Sequence, residues 1–173
     1  MAILRVIKRE ARTLEGMLAY VLEAGKVLYS GGVWVLDIKE PLKEFLICKW
    51  AYRQFGGVEY KQIILSFTTE ESRLLSPEYL IRVVKEAAEA IAGITAVQII
   101  YAVHGNTDNI HAHFVLNSVS PWTGKKLQIT NLSTVQMKLD INNILRKYGL
   151  KEIIIKGFER ETADAMNNQG RYV

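Results

Sequence analysis

The three histidines of the sequence lie close together, at positions 104, 111 and 113. His111 and His113 are separated by one residue, and side chains two positions apart on a strand project from the same face. The short connection formed by residues 105–109 allows His104, at the end of the preceding predicted strand, to reach the same place. Three imidazoles that converge in this way bind a metal ion and leave coordination positions open, as metal-assisted catalysis requires.

The ligand types alone do not choose the metal. Three neutral nitrogen ligands suit zinc when they are considered in isolation. Reaction at a phosphate group favours Mg²⁺ or Mn²⁺ instead. A zinc hydrolase of a small molecule is therefore one open interpretation of the histidine cluster.

Hydrophobic periodicity predicts the elements that must position this cluster. Strand patterns occupy residues 2–8, 33–36, 59–68, 95–103 and 110–119, and helical patterns occupy residues 13–25, 41–55, 79–92 and 132–148. The last two strands are joined by a link that is too short for a crossover, which favours antiparallel pairing. We therefore expect an α+β fold in which helices pack on the faces of a central antiparallel or mixed β-sheet of about five strands.

The bulk composition is that of one globular domain. The 173 residues are 49% hydrophobic and 23% charged, with a net charge of +4 that favours a polyanionic partner only modestly. No apolar run reaches the roughly 18 residues of a membrane span, no secretory signal opens the sequence, and Cys48 is the single cysteine. These features predict a cytoplasmic protein with no membrane insertion and no intrachain disulfide.

The residues around the histidines resemble a known family. The segment that contains His104, Asp108, His111, His113 and Asn117 resembles the third motif of conjugative relaxases of the mobilisation-P type, which belong to the histidine-hydrophobic-histidine endonuclease superfamily. Its continuation through residues 118–126 resembles relaxases of Gram-positive integrative and conjugative elements.

Two earlier stretches resemble the other motifs of the same family, in the order the family expects. Residues 18–22 resemble the first motif, with its nucleophilic tyrosine at Tyr20, and residues 64–67 resemble the second, whose serine, here Ser66, contacts DNA. The resemblance covers residues 1–155, which we take as a relaxase-like nuclease domain. Residues 156–173 are expected to be a C-terminal extension of that domain.

The resemblance implies a metal-dependent DNA strand transferase. Tyr20 is expected to attack one strand at an origin of transfer, forming a 5′-phosphotyrosyl intermediate that is later rejoined. The three histidines are expected to hold one Mn²⁺ or Mg²⁺ ion, and Tyr29 is the second candidate nucleophile. The implied partners are single-stranded and origin-of-transfer DNA, an accessory DNA-binding protein and a type IV secretion coupling protein.

Further side chains are expected to orient the imidazoles or the DNA. The family usually has an acidic residue where this sequence has Asn106, whose side chain can accept a hydrogen bond but adds no charge. Asp108 is near enough in sequence to supply the missing negative charge. Asn117 is a candidate for orienting the phosphate. The basic turn of Lys125 and Lys126 is expected near the histidines. The other expected DNA contacts, through phosphates or base stacking, are Arg5, Lys8, Arg9, Arg12, Trp34 and Trp122.

Two other functions are compatible with this resemblance. A rolling-circle replication initiator of the same superfamily uses a similar histidine pair, although its tyrosine often follows the histidines whereas Tyr20 precedes them. A non-catalytic DNA-binding module that keeps the fold is the second, and Asn106 in place of an acidic residue gives it some support.

Overall fold

The computed structural model describes residues 1–7 and 11–169. Along the chain these residues form β1 (Ile3–Val6), α1 (Leu14–Val21), β2 (Val27–Val33), α2 (Pro41–Ala51), β3 (Tyr60–Ser66), α3 (Thr69–Leu74), α4 (Pro77–Thr95), β4 (Ile99–His104), β5 (His111–Asn117), α5 (Asn131–Lys147) and α6 (Phe158–Gln169).

The strands form one five-stranded sheet in the order β1-β3-β5-β4-β2. Every neighbouring pair is antiparallel. The β4–β5 hairpin joins the middle of the sheet to its β2 side, while β1 and β2 form the two edges. The expected α+β fold with an antiparallel sheet is therefore confirmed.

Successive side chains of each strand point to opposite faces of the sheet, so apolar side chains lie on both faces and helices cover both. On one face, α4 and α5 bury residues such as Leu80 and Met137 against Phe114 and its neighbours. On the other face, a smaller cluster packs α1 and α2 against the sheet, with Phe45 near Val115. Alternation along β5 places His113 and His111 on the same face as Val115, so this smaller cluster borders the histidines.

The position of the second strand differs from the prediction. An apolar run predicts a strand at residues 33–36, whereas β2 ends at Val33 and Trp34 adopts a left-handed backbone with φ of 56°. The observed strand includes Gly31, where an added Cβ would lie 2.5 Å from the hydroxyl oxygen of Tyr101 on the neighbouring strand. The glycine thus serves close packing inside the sheet rather than a turn before it.

Two helices lie outside the predicted elements. The short α3 begins with a capping box. The Thr68 hydroxyl accepts a hydrogen bond from the Glu71 backbone nitrogen, and the Glu71 carboxylate accepts one from the Thr68 backbone nitrogen. The C-terminal α6 packs beside α5, where Lys138 and Glu159 form an ion pair of 2.6 Å. Among the described residues, no helix combines the length and apolar character that a membrane crossing needs.

Candidate metal centre and active site

The β4–β5 hairpin brings the three histidines together. His104 lies directly opposite His111 in the strand register, and His113 follows on the same face two residues later. One ring nitrogen from each histidine lies within 4.8 Å of the corresponding nitrogen of the other two. The ring centroids are 4.6 to 5.3 Å apart. The hairpin therefore places three nitrogen donors around one point.

Each imidazole is held through one ring nitrogen, and the other nitrogen takes no part in that contact. Nε2 of His104 donates to the carbonyl oxygen of Val21 at 2.7 Å. Nδ1 of His111 donates to the carbonyl oxygen of Asn109 at 3.0 Å. Nδ1 of His113 lies 2.8 Å from the side-chain nitrogen of Gln62. Metal-bound histidines in proteins are oriented by contacts of this kind at the nitrogen that does not bind the metal.

The remaining nitrogen of His113 shows that this set of donors fits a cation. Its Nε2 is buried and has no hydrogen-bond partner among the described residues. A buried polar atom without a partner is costly, and it is rare unless an ion or ligand satisfies it. The rings of His104 and His111 lie beside it, with centroids 4.6 and 5.0 Å from that of His113, which makes a metal ion the natural partner.

Burial also keeps the donors in the neutral form that binds metal. The pKa of His113 is lowered to about 3, chiefly because the ring is desolvated and secondarily because His104, His111 and Lys26 are near. Burial lowers the pKa of His104 as well. Both rings are therefore uncharged at neutral pH, and each has a lone pair on one of its two ring nitrogens.

Tyr20 reaches this centre from the last turn of α1. The helix starts at the N-cap Thr13 and buries Leu14, Met17, Leu18 and Val21. Tyr20 lies at the border of this buried stripe and is half-buried. Its ring centroid is 5.9 Å from that of His113 and 6.4 Å from that of His104, both in edge-to-face orientation. The bond from His104 to the Val21 carbonyl ties the end of α1 to the histidine cluster.

Two cations lie against the ring of Tyr20. The guanidinium carbon of Arg12 is 4.7 Å from the ring centroid, and Nζ of Lys26 is 4.5 Å from it. Lys26 also forms an ion pair with Glu23. The phenol of Tyr20 thus lies in a positively charged environment that suits an anionic substrate.

Tyr29, the second candidate nucleophile, lies away from the centre. In the register of β2 with β4, it pairs with Val103 and so occupies the face opposite the histidines. Its ring packs near Tyr101, and Nζ of Lys85 lies 4.4 Å from its centroid. The structure thus places only one of the two candidate tyrosines beside the histidines.

A cavity opens next to His111 on the β1 side of the sheet. It has a volume of about 230 Å³ and is lined by Ile3, Arg5, Ile64, Ser66 and His111. Ser66 pairs with His111 in the β3–β5 register, and the exposed Arg5 follows on the same face of β1. These two predicted DNA contacts are therefore adjacent to the histidine cluster.

Other expected site residues lie elsewhere. Asn117 is buried at the opposite end of β5, where its side-chain nitrogen donates to the carbonyl of Phe45 at 3.2 Å and to the side-chain oxygen of Gln98 at 3.0 Å. Asn106 and Asp108 are exposed in the link between β4 and β5. The hydrogen bonds described above for the three imidazoles are made by other residues.

The basic turn is also distant from the histidines. Lys125 and Lys126 follow the Asn117 end of β5, and Nζ of Lys126 donates to the carbonyl of Gly56 at 2.9 Å. The exposed Trp122 in the same turn packs edge to face on Trp34 at 5.4 Å. The expectation that this turn lies near the histidines is wrong, because the whole length of β5 separates them. Lys8 and Arg9 lie outside the described residues.

Sequence reasoning missed three of the groups that surround the centre. They are Gln62, the carbonyl of Val21 and the side chain of Lys26. The alternation of β3 offers one usable signal, since Gln62 lies on the same strand face as Ser66. The other two depend on how α1 and the following loop dock on the sheet, which periodicity does not encode.

Comparisons with known proteins agree with this architecture. The family model described as "Relaxase: MobA/VirD2-like, nuclease domain" matches residues 20–150, a range that contains Tyr20 and all three histidines. The chain therefore belongs to the MobA/VirD2-like relaxase family of nuclease domains.

Two relatives illustrate the similarity. The chain is 33% identical over 114 residues to Protein rlx of Staphylococcus aureus, a match that spans 66% of this chain and 35% of that relative's length. A solved structure described as "Molecular Basis of Vancomycin Resistance Transfer in Staphylococcus aureus" has a similar fold, with a TM-score of 0.52 and 16% identity over 76% of this chain and 77% of the other.

Proposed function

We propose that this domain nicks one strand of DNA at an origin of transfer and becomes covalently attached to it through Tyr20. The observation that carries the proposal is the position of the Tyr20 ring, 5.9 and 6.4 Å from two of three histidines that each bring one ring nitrogen within 4.8 Å of the others. The opposite location of Tyr29 strengthens the assignment. The membership of the relaxase family supplies DNA as the substrate.

The proposed reaction is a reversible transesterification. The phenolic oxygen of Tyr20 attacks the phosphorus of the scissile phosphate, a P–O bond to the tyrosine forms, and the P–O3′ bond breaks. The phenol gives its proton to water, and the departing 3′-oxygen takes one up. One phosphate ester replaces another, so attack by a 3′-hydroxyl on the phosphotyrosine rejoins the strand.

The chain's own residues position the phosphate for this step. Arg5 and Ser66 line the cavity beside His111, where a guanidinium and a hydroxyl can bind phosphate oxygens of the strand. Lys26 and Arg12 lie against the nucleophile and counter the negative charge that builds up there. His104, His111 and His113 would hold one Mn²⁺ or Mg²⁺ ion, which would supply charge neutralisation at the phosphate.

The whole process requires more than this domain. We propose an accessory DNA-binding protein and a type IV secretion coupling protein as its partners. We propose the cytoplasm as the place where the domain cuts DNA. Among the expected base-stacking residues, Trp34 and Trp122 lie at the far end of β5 and are proposed to contact DNA away from the scissile phosphate.

A denaturing gel tests the proposal directly. Single-stranded origin DNA carrying a 3′ label is incubated with the domain and Mn²⁺, and a labelled DNA–protein adduct is expected because the 5′-phosphate of the downstream fragment stays on Tyr20. A 5′ label should instead appear on a free, shorter fragment. Tyr20→Phe should abolish both products, whereas the matched control Tyr29→Phe, on the opposite face of the sheet, should retain them.

Three results would overturn the proposal. Cleavage without an adduct would indicate a hydrolase, and an adduct with Tyr20→Phe would move the nucleophile elsewhere. DNA binding by the wild-type domain without any cleavage would favour a non-catalytic binding module.

A further inference from the structure

Gln62 makes the only side-chain amide contact described for the three imidazoles. It lies on β3 opposite Val115, on the same sheet face as His113, and its side chain is buried with 6% of its surface exposed. Its amide nitrogen is 2.8 Å from Nδ1 of His113, so in this arrangement the amide donates and Nδ1 accepts.

This polarity determines where the proton of a neutral His113 ring must be. If Nδ1 accepts a hydrogen bond, the ring proton is on Nε2. Nε2 is buried without a partner among the described residues, and the His113 ring packs beside those of His104 and His111. An N–H directed there has no acceptor and repels a cation. In the arrangement with the amide nitrogen toward His113, the ring therefore does not bind a cation through Nε2.

The opposite amide orientation suits the metal-bound protein. A half-turn of the terminal amide exchanges its oxygen and nitrogen with almost no change of shape. The oxygen then accepts Nδ1–H of His113, and the Nε2 lone pair is free to bind a cation. We propose that Gln62 is a positioning residue whose amide orientation selects the tautomer of His113 and reverses when the metal binds. This inference rests on the proposed function for the identity of the site as a metal centre.

The hydrogen-bond partners of the three histidines add no negative charge to the proposed metal site. His104 and His111 donate to backbone carbonyls, and His113 contacts an amide, so the hydrogen-bond partners described for the three rings are all uncharged. A carboxylate at such a position would raise the basicity of the ligand and tighten metal binding. Gln62 thus favours a loosely held and strongly polarising ion, which suits a phosphate substrate.

Metal affinity measured by calorimetry tests the role of Gln62 without any DNA. Compared with wild type, Gln62→Leu should weaken Mn²⁺ binding by about 10- to 100-fold, because Nδ1 of His113 loses its partner. Gln62→Glu should tighten binding by roughly tenfold, because a carboxylate enforces the Nδ1–H tautomer. Gln98→Leu is the matched control, since Gln98 is a buried amide at the other end of the sheet and should leave the affinity unchanged within about twofold.

Nitrogen NMR of the wild-type protein tests the tautomer itself. The metal-free protein should show the proton of His113 on Nε2, and titration with diamagnetic Mg²⁺ or Zn²⁺ should move it to Nδ1. This measurement needs no variant, so the metal-free spectrum tests the direction of the hydrogen bond between Gln62 and His113 even if Gln62→Leu does not fold.

The inference is overturned if Gln62→Leu and Gln62→Glu both bind Mn²⁺ with wild-type affinity, or if His113 keeps one tautomer throughout the titration. Its failure is distinguishable from failure of the proposed function. Unchanged metal affinities would leave Tyr20-dependent cleavage intact, whereas the absence of cleavage by the wild-type domain would leave the affinity differences intact.

Discussion

Removal of the Lys26 charge should slow the attack by Tyr20 without disturbing the fold. The ammonium lies 4.5 Å from the centre of the Tyr20 ring and is positioned by the ion pair with Glu23 and by the hydrogen bond from the Gly105 backbone nitrogen to the Lys26 carbonyl. Phenols are protonated at neutral pH, so the phenolic oxygen must develop negative charge before or during attack. Lys26 is a cation placed to stabilise that charge.

Coulomb's law sets the size of the effect. A full charge pair about 5 Å apart contributes about 3.3 kcal/mol at the effective dielectric constant of about 20 that applies near a protein surface. A half charge on the phenolic oxygen reduces this to about 1.7 kcal/mol, and the Glu23 carboxylate and solvent reduce it further. We expect a loss of about 1.4 kcal/mol for Lys26→Met, which is a tenfold slower reaction.

Single-turnover adduct formation with excess protein and saturating labelled DNA measures this step apart from binding. Lys26→Arg should recover most of the rate, because it keeps the charge. Lys85→Met is the matched control, since Lys85 makes the same kind of contact with Tyr29 at 4.4 Å on the opposite face and should change the rate by less than about twofold. The reasoning is refuted if Lys26→Met reacts at the wild-type rate, or if Lys85→Met loses as much.

Three further predictions concern stability and DNA binding. Gly124→Ala should lower the free energy of unfolding, measured by urea titration, by about 2 kcal/mol. Gly124 has a φ of 68°, and an added Cβ would lie 2.2 Å from the Tyr52 ring. The loss should therefore be smaller when Tyr52 is also replaced by alanine. The folded-state pKa of His113, about 3, is below its ordinary value of 6.5, so the unfolded chain binds more protons between these two pH values. The free energy of unfolding of the metal-free protein, measured at a series of pH values, should therefore fall by on the order of 4 kcal/mol as the pH drops through this window. His113→Asn should flatten this pH dependence. Arg5→Gln should reduce the slope of log affinity for single-stranded DNA against log salt by about 1, as loss of one phosphate contact requires, and an unchanged slope would remove Arg5 from the DNA path.

The sheet and the histidine cluster were predictable from the sequence because both depend on local pattern. The spacing of His111 and His113 puts them on one face of any strand, and a short link leaves His104 little choice but to lie opposite. The strands of the hairpin are almost wholly buried and therefore show long apolar runs.

The parts that local pattern could not predict depend on contacts between distant segments. In the sequence Gly31 resembles a turn residue, but in the structure it lies within β2 and leaves room for the ring of Tyr101 on the neighbouring strand. The observed strand therefore begins earlier in the chain than the predicted one. The basic turn at Lys125 and Lys126 follows the histidine strand in sequence, yet the direction of that strand carries it to the other end of the sheet. Contacts of Lys26 and Gln62 similarly follow from docking and register rather than from spacing.

The placement of all three histidines on a single hairpin bears on the order in which the protein matures. His104 and His113 meet as soon as β4 and β5 pair, and local hairpins form within microseconds at little cost in loop-closure entropy. Docking of the end of α1 instead joins residues as distant as Val21 and His104, which is a slower class of event. We therefore expect the histidine half of the centre to assemble early during folding and the half that carries Tyr20 to dock later, so that the proposed metal site exists before the proposed nucleophile is in place.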